Sequence, residues 1–320
     1  MSGSVSGSGS SQNKNPSALN VMETLGYVKR FTGETILIKI GGAALTDPEL
    51  VKSLCQDLAM IRAAGVKVVL VHGGGPSINQ ELTTHGITWE FIDGQRVTTP
   101  AMMDIVEMVL CGSVNRKIVR TLNAAGVQAA GISGSDAKLL FCKQASAKLG
   151  QVGQIEAVNP AIIQQYLDTQ SSAGSGIIPV IAPVGIGKNG QAFNVNADWA
   201  ASNIAVALGI KKVIYLTDQN GILDQNMAVI SELDAGELEN LIETGVVKGG
   251  MLAKVQTMLF CLKKGVLELH VLNAKRMHCL IEELFTNAGV GTICRKRQRV
   301  TRAAKNSTSS TTSTGATANV

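Results

Sequence analysis

The feature that most restricts this 320-residue chain is one device used twice in its first third. Thr35–Ile40 (TILIKI) is a β-branched apolar run that stops at Gly41-Gly42. Val66–Val71 (VKVVLV) stops, after His72, at Gly73-Gly74-Gly75. Near-continuous apolar runs of this length suit strands buried on both faces rather than half-solvated ones. Helical patterns alternate with them. Asp47-Pro48 opens one that runs to Ala64, with proline in its first turn. Further strands are expected at 127–132, 177–184, 213–217 and 267–272, and helices at 18–31, 100–125, 197–208, 235–244 and 251–264. This order predicts a three-layer αβα sandwich around an open, mainly parallel sheet. In such sheets ligands gather beyond the carboxyl ends of the strands, where these glycines sit.

A glycine turn between a strand and a helix lets backbone N–H groups approach an anion, and the helix N-terminus adds positive potential. Two such turns, with a third glycine pair at 249–250, favour phosphate or carboxylate binding over turn geometry alone. The usual nucleotide signatures do not account for them. No G-x-x-x-x-G-K-[ST] occurs, and Gly185-Ile-Gly-Lys-Asn-Gly190 runs into the alternating QAFNVN rather than a helix. A hairpin is expected there instead.

Several polar residues stand out beside the glycines. Lys39 ends an apolar strand two residues before Gly41. Lys254 follows Gly249-Gly250 in what is expected to be the first turn of a helix, where a cation opposes the macrodipole unless it meets an anion. Asn194-Val-Asn-Ala-Asp198 holds more amide and carboxyl groups than one helix cap needs. Asp218 closes a strand as either a turn residue or a nucleotide contact, and Arg96 could clamp a carboxylate.

Charge and composition narrow the function classes. The formal charge is +5, but residues 295–305 (RKRQRVTRAAK) carry six positive charges and no acid, so removing those six leaves a body at −1. Only 3% of residues are aromatic, which leaves few rings for base stacking and argues against nucleic-acid binding by the core. Charged residues make up 17%, below the typical quarter, which suggests a large interior or an oligomer interface. The six cysteines are scattered without C-x-x-C spacing, as for buried thiols in a reducing cytoplasm, and no metal site is expected. No apolar stretch is long enough to span a membrane, and the N-terminus lacks a secretory signal pattern.

Taken together, these segments resemble the amino acid kinase family. The matching stretches run in order: IKIGG (38–42), VHGGGP (71–76), DGQRVT (93–98), VNRKIV (114–119) and GISGSDAKL (131–139). They continue with VIAPVGIG (180–187), NVNAD (194–198), LTDQNGIL (216–223), KGGMLAK (248–254) and ELFTNAGVGT (283–292). The resemblance is strongest to the branch that acts on N-acetyl-L-glutamate. It implies ATP-dependent phosphorylation of that compound's side-chain carboxylate, with Mg²⁺, in arginine biosynthesis. By motif it implies catalytic roles for Lys39, Lys254 and Asp198, and substrate binding by Gly73, Gly74, Arg96 and Asn194. Gly41, Gly42, Asp218, Gly249 and Gly250 would hold ATP.

The helix at 18–31 resembles the N-terminal helix of arginine-inhibited hexameric members. Tyr27, His270, Glu283 and Gly289 fall where those members hold L-arginine. The implied organisation is a Ser/Gly-rich tail (1–17), a helix plus amino-acid lobe (18–189), a nucleotide lobe (190–296) and a basic, then Ser/Thr-rich tail (297–320). Departures from the family pattern are GGAAL at 41–45, Ala253 before the second lysine, and Leu272-Asn-Ala-Lys275. The alternatives are a kinase for aspartate or carrier-bound aminoadipate, or a non-catalytic arginine sensor. The two lysines and Asp198 weigh against the sensor.

Overall fold

The computed structural model describes residues 16–171, 174–287 and 289–296; the expected tails lie outside them except for Pro16 and Ser17, which begin a helix instead. An eight-stranded sheet runs through the molecule. Its strands, in chain order, are β1 (Thr35–Ile40), β2 (Lys67–His72), β3 (Ala129–Ser133), β4 (Ile178–Ala182), β5 (Lys212–Thr217), β6 (Glu232–Asp234), β7 (Glu268–Asn273) and β8 (Thr292–Arg295). Across the sheet the order is β6-β8-β7-β5-β1-β2-β4-β3. All pairs are parallel except β7–β8. β1 therefore lies between β2 and β5, with both glycine turns at its side.

Alternation along β1 and β2 sorts the core into two layers. Ile36, Ile38, Ile40, Val68 and Leu70 pack on one face with Cys55, Leu58 and Ile61 of α2 (Pro48–Ala63). Leu37, Val69 and Val71 pack on the other, with Ile204 of α7 (Ala197–Ala207) and Met258 of α9 (Gly249–Lys263). Lys39 shares the parity of Leu37. Its side chain therefore faces α7 and α9, which pack on each other.

The expected hairpin is present. Val184–Ile186 pairs antiparallel with Ala192–Asn194 and joins Leu140–Gln144 and Gly153–Val158 in a separate four-stranded sheet. The helix expected at 100–125 has a π-helical turn, Met108–Val114, between Pro100–Glu107 and Asn115–Ala124. Helix α9 begins at Gly249 rather than Met251, which puts Lys254 beyond the first turn. The N-terminal helix α1 spans Pro16–Phe31 and docks on α10 (Cys279–Phe285), Phe31 meeting Phe285 edge-on at 6.2 Å. The basic run begins inside the fold: Arg295 lies in β8 and pairs with Glu232 at 2.6 Å and Glu268 at 3.4 Å.

Candidate active site

The centre is built from three elements. Asn196 caps α7, its side chain accepting the backbone N–H groups of Asp198 and Trp199 at 2.8 and 3.3 Å. That cap fixes Asp198 in the first turn of α7, and the parity of β1 aims Lys39 at it. Asp198 Oδ1 lies 2.7 Å from Lys39 Nζ, and Oδ2 accepts a hydrogen bond from Lys254 Nζ at 2.9 Å. The two lysines are only 7% and 6% exposed.

Charges this deep must be compensated. Burial pushes the Asp198 carboxyl up, but the charges of Lys39 and Lys254 and their hydrogen bonds pull it well below the usual carboxylate range. Lys254 is lowered, first by burial and then by the charge of Lys39, with Asp198 opposing. The cluster carries two positive charges and one negative. That excess of one is suited to an arriving anion.

Two cavities open on either side of Lys39. The first, about 260 Å³, is lined by Gly42, Gly73, Gly74, Gly75, Arg96, Asn194 and Asp198. The second, about 650 Å³, is lined by Gly41, Gly42, Asp218, Lys248, Gly250 and Lys254. Lys39 and Gly42 line both. A group bound between the cavities would meet both lysines.

The glycine turns divide their labour. The N–H of Gly41 donates to Leu216 O, and that of Gly73 to Ile40 O, each at 2.9 Å. These two N–H groups are committed to the backbone, so what Gly41 and Gly73 offer a ligand is room for close approach rather than a donor. Gly42, Gly74 and Gly75 have no backbone acceptor among the described residues. A Cβ on Gly42 would sit 2.8 Å from Gly75 N and 3.0 Å from Gly74 N. These nitrogens therefore crowd one corner, where bare backbone meets bare backbone.

In the smaller cavity Arg96 is pinned on three sides. Its Nη2 donates to Asn79 Oδ1, and its guanidinium lies over Phe91 and Trp89 at 4.8 and 5.8 Å. Its Nη1 is buried without a partner. An unsatisfied cationic donor at a cavity wall is a ready receptor for a carboxylate. Asn194 Nδ2 donates to Thr98 Oγ1 at 3.1 Å, which leaves its carbonyl oxygen for a ligand. In the larger cavity Asp218 accepts from Thr217 at 3.1 Å. Gly249, at φ +54°, starts α9 without lining the cavity.

The residues singled out elsewhere make two sets of contacts around residues 283–290. Tyr27 donates to Asn287 Oδ1. His270 Nδ1 lies 2.6 Å from Glu283 Oε1, and Glu283 Oε2 accepts from Val290 N–H at 3.0 Å. Lys212 Nζ approaches His270 Nε2 at 2.9 Å and pairs with Glu268. Gly289 has open space where a side chain would stand. Sequence reasoning missed Gly75, Asn79 and Lys248. Gly75 was within sight as the third glycine of its run and Lys248 as the first residue of KGGMLAK, whereas nothing in the pattern around Asn79 marked it.

Among the described residues no group of three or more His, Cys, Asp or Glu could hold a metal ion, and no helix is long and apolar enough to cross a membrane. The oxygens of Asp198 already face lysines. These oxygens are thereby committed to cations of the chain itself.

The fold and this paired-cavity site define a class. The amino acid kinase family model matches residues 34–273, and the chain belongs to that family, whose kinases use ATP. Within it, the chain is 41% identical over 281 residues to the acetylglutamate kinase of Geotalea daltonii, covering 86% of this chain and 96% of that one. Among solved structures, the N-acetylglutamate synthase of Neisseria gonorrhoeae shares the fold. Its complex with coenzyme A and N-acetyl-glutamate superposes with a TM-score of 0.77 at 23% identity, over 88% of this chain and 64% of that chain. Its complex with coenzyme A and L-arginine gives 0.75 at 22% identity, over 88% and 65%. Giardia lamblia carbamate kinase bound to AMP-PNP gives 0.61 at 14% identity, over 83% and 99%.

Proposed function

We propose that this chain transfers the γ-phosphoryl group of ATP to the side-chain carboxylate of N-acetyl-L-glutamate, forming N-acetyl-L-glutamyl 5-phosphate for arginine biosynthesis. The observation that carries this reading is the pair of cavities meeting at Lys39, with Asp198 holding both lysines at the junction. The likeness to acetylglutamate kinases over most of the chain identifies the acceptor.

In this reading N-acetyl-L-glutamate occupies the smaller cavity and Mg·ATP the larger, so residues 18–189 supply mostly acceptor contacts and residues 190–296 mostly nucleotide contacts. Arg96 Nη1 and the Asn194 amide hold the acceptor. An oxygen of the side-chain carboxylate attacks the γ-phosphorus, the bond to the β-bridging oxygen breaks, and ADP leaves with its electron pair. No proton moves, because the carboxylate is already ionised near pH 7. The difficulty is bringing two anions together, so positioning and charge neutralisation supply the catalysis. Lys39 and Lys254 provide the charge, Asp198 aims them, and the N–H groups of Gly42, Gly74 and Gly75 receive phosphoryl oxygens. Asp218, Gly249 and Gly250 shape the nucleotide end.

The test is trapping of the acyl phosphate with hydroxylamine, comparing N-acetylglutamate with glutamate and aspartate. Hydroxamate from N-acetylglutamate alone is expected; none from it with Mg·ATP would overturn the assignment.

A second reading concerns regulation. Tyr27 of α1 reaches Asn287, and His270 reaches Glu283, within the segment 283–290 that also holds Gly289; these contacts support L-arginine as a feedback inhibitor bound beside α1, and a cytoplasmic homohexamer completes the same reading. The Glu283 carboxylate is a natural partner for a guanidinium. Arginine titration of initial rates, with sedimentation analysis of the assembly, tests both parts; unchanged rates at millimolar arginine would remove the first, and a dimer the second.

A further inference from the structure

His72 is fully buried beneath the second glycine turn. Its Nδ1 lies 2.9 Å from the carbonyl oxygen of Gly73, and its Nε2 lies 3.1 Å from Nδ2 of Asn115, also fully buried. The same Nδ2 donates to Val180 O at 2.8 Å. These contacts determine the proton positions. A carbonyl only accepts, so Val180 O requires the amide NH₂ on its side, and one hydrogen remains for His72 Nε2. Turning the amide over would set two carbonyl oxygens against each other. The Nε2 must then accept, and Nδ1 must carry the ring proton that Gly73 O receives. Asn115 keeps this orientation although its Oδ1 is left buried without a partner.

The consequence lies on the far side of one peptide plane. The Gly73–Gly74 peptide is trans, so its N–H points opposite to its C=O. With the carbonyl drawn inward by His72, the Gly74 N–H is directed outward, toward the cavity that Lys39 and Arg96 also line. We propose that His72 is a positioning residue: held by Asn115 as its Nδ1–H tautomer, it anchors the Gly73 carbonyl and thereby aims the Gly74 N–H at the transferring phosphoryl group. This rests on the phosphoryl-transfer reading above. Burial lowers the His72 pKa to about 4, the Gly73 hydrogen bond opposing, so the ring stays neutral at working pH.

Two measurements test it independently. Nitrogen-15 NMR of the unmodified chain, which has only four histidines, should show one neutral ring protonated at Nδ1 whose signal disappears in His72→Asn. A protonated Nε2 or a mixed tautomer overturns the proposal whatever the enzyme's substrate. In the trapping assay, His72→Leu should lower kcat about 10- to 100-fold, less than the roughly 100- to 1000-fold of losing one preorganised donor outright because the N–H is misdirected rather than removed, with KM for ATP within about twofold. His72→Asn, which keeps a donor near Nδ1, should recover most of that loss. A His72→Leu enzyme with kcat within about twofold of the unmodified chain refutes the proposal, as does an Asn variant no better than Leu. An inactive unmodified chain would instead refute the phosphoryl-transfer reading. A variant that fails to fold leaves the tautomer measurement decisive.

Discussion

Lys39 and Lys254 share Asp198 as their ion-pair partner, each taking a different oxygen of its carboxylate, at 2.7 and 2.9 Å. Removing the carboxylate therefore does more structural damage than removing one cation. Asp198→Asn takes the shared carboxylate from two buried ammonium groups, with only the charge of Asp218 still opposing that of Lys254, and should cost about 3–5 kcal/mol. Lys39→Met leaves Asp198 paired with Lys254 and should cost roughly half as much, yet lower kcat by at least about 100-fold. Urea denaturation beside the trapping assay separates the two effects. Equal stability of the variants would contradict the shared counter-ion.

The same cluster sets an acid limit. Asp198 titrates below its unfolded value of about 3.9, so between the two values the unfolded chain binds more protons than the folded one. Its contribution to stability is complete above about pH 4 and is lost as pH falls through the folded value. Glu283 is also depressed, despite burial, by His270 and the Val290 N–H, so part of the acid slope has another source. Thermal melts from pH 7 to 3 should therefore be flatter for Asp198→Asn than for the unmodified chain, but not flat.

Gly42 and Gly74 should differ sharply on gaining a methyl group. On Gly42 it meets the backbone nitrogens of Gly74 and Gly75 at 3.0 and 2.8 Å, which cannot yield without opening the turn. On Gly74 it meets Leu110 Cδ2 at 2.5 Å, the end of a side chain. Gly42→Ala is expected to abolish turnover. Gly74→Ala should impair it, with partial recovery on adding Leu110→Ala, read as a double-mutant cycle in kcat/KM.

Arg96 is held by Asn79 and two rings, and its free Nη1 faces the acceptor cavity. Lysine keeps the charge but not the planar fork. Arg96→Lys should raise KM for N-acetylglutamate about 10- to 100-fold, the scale of one lost charged hydrogen bond, and leave KM for ATP nearly unchanged. Steady-state kinetics with each substrate varied distinguishes the outcomes.

The thiols should be inert in the folded chain. Burial pushes Cys55, Cys142, Cys279 and Cys294 up to about 12, and Cys111, only partly exposed, up to about 11. A thiol reagent at pH 8 should label none rapidly until denaturant is added, as counted by mass spectrometry.

Much of this was legible in the sequence, for identifiable reasons. The runs at 35–40 and 66–71 announce buried strands because both faces are covered, and parity along the first already turns Lys39 toward one layer. Asp198 and its cap stand together within five residues. The four-stranded sheet was hidden because Leu140–Gln144 and Gly153–Val158 mix polar and apolar residues, with only Leu140 and Cys142 buried in the first strand and no residue fully buried in the second. The start of α9 was misplaced because glycine is a poor helix former, yet Gly249 enters the helix from the left-handed region at φ +54°, a conformation that glycine adopts without strain. The contact of His72 with Asn115 joins residues 43 positions apart, which no local pattern encodes.

Strand β1 lies between β2 and β5, and its last side chains border both cavities. Most walls of the smaller cavity, proposed for the acceptor, come from the β2 side, while the β5 side and α9 wall the larger one, proposed for ATP. Mutations on the first side can thus reshape which acid is accepted without disturbing how ATP is gripped. A single strand acts as a party wall, and a lineage with this architecture can diversify its acceptors one room at a time.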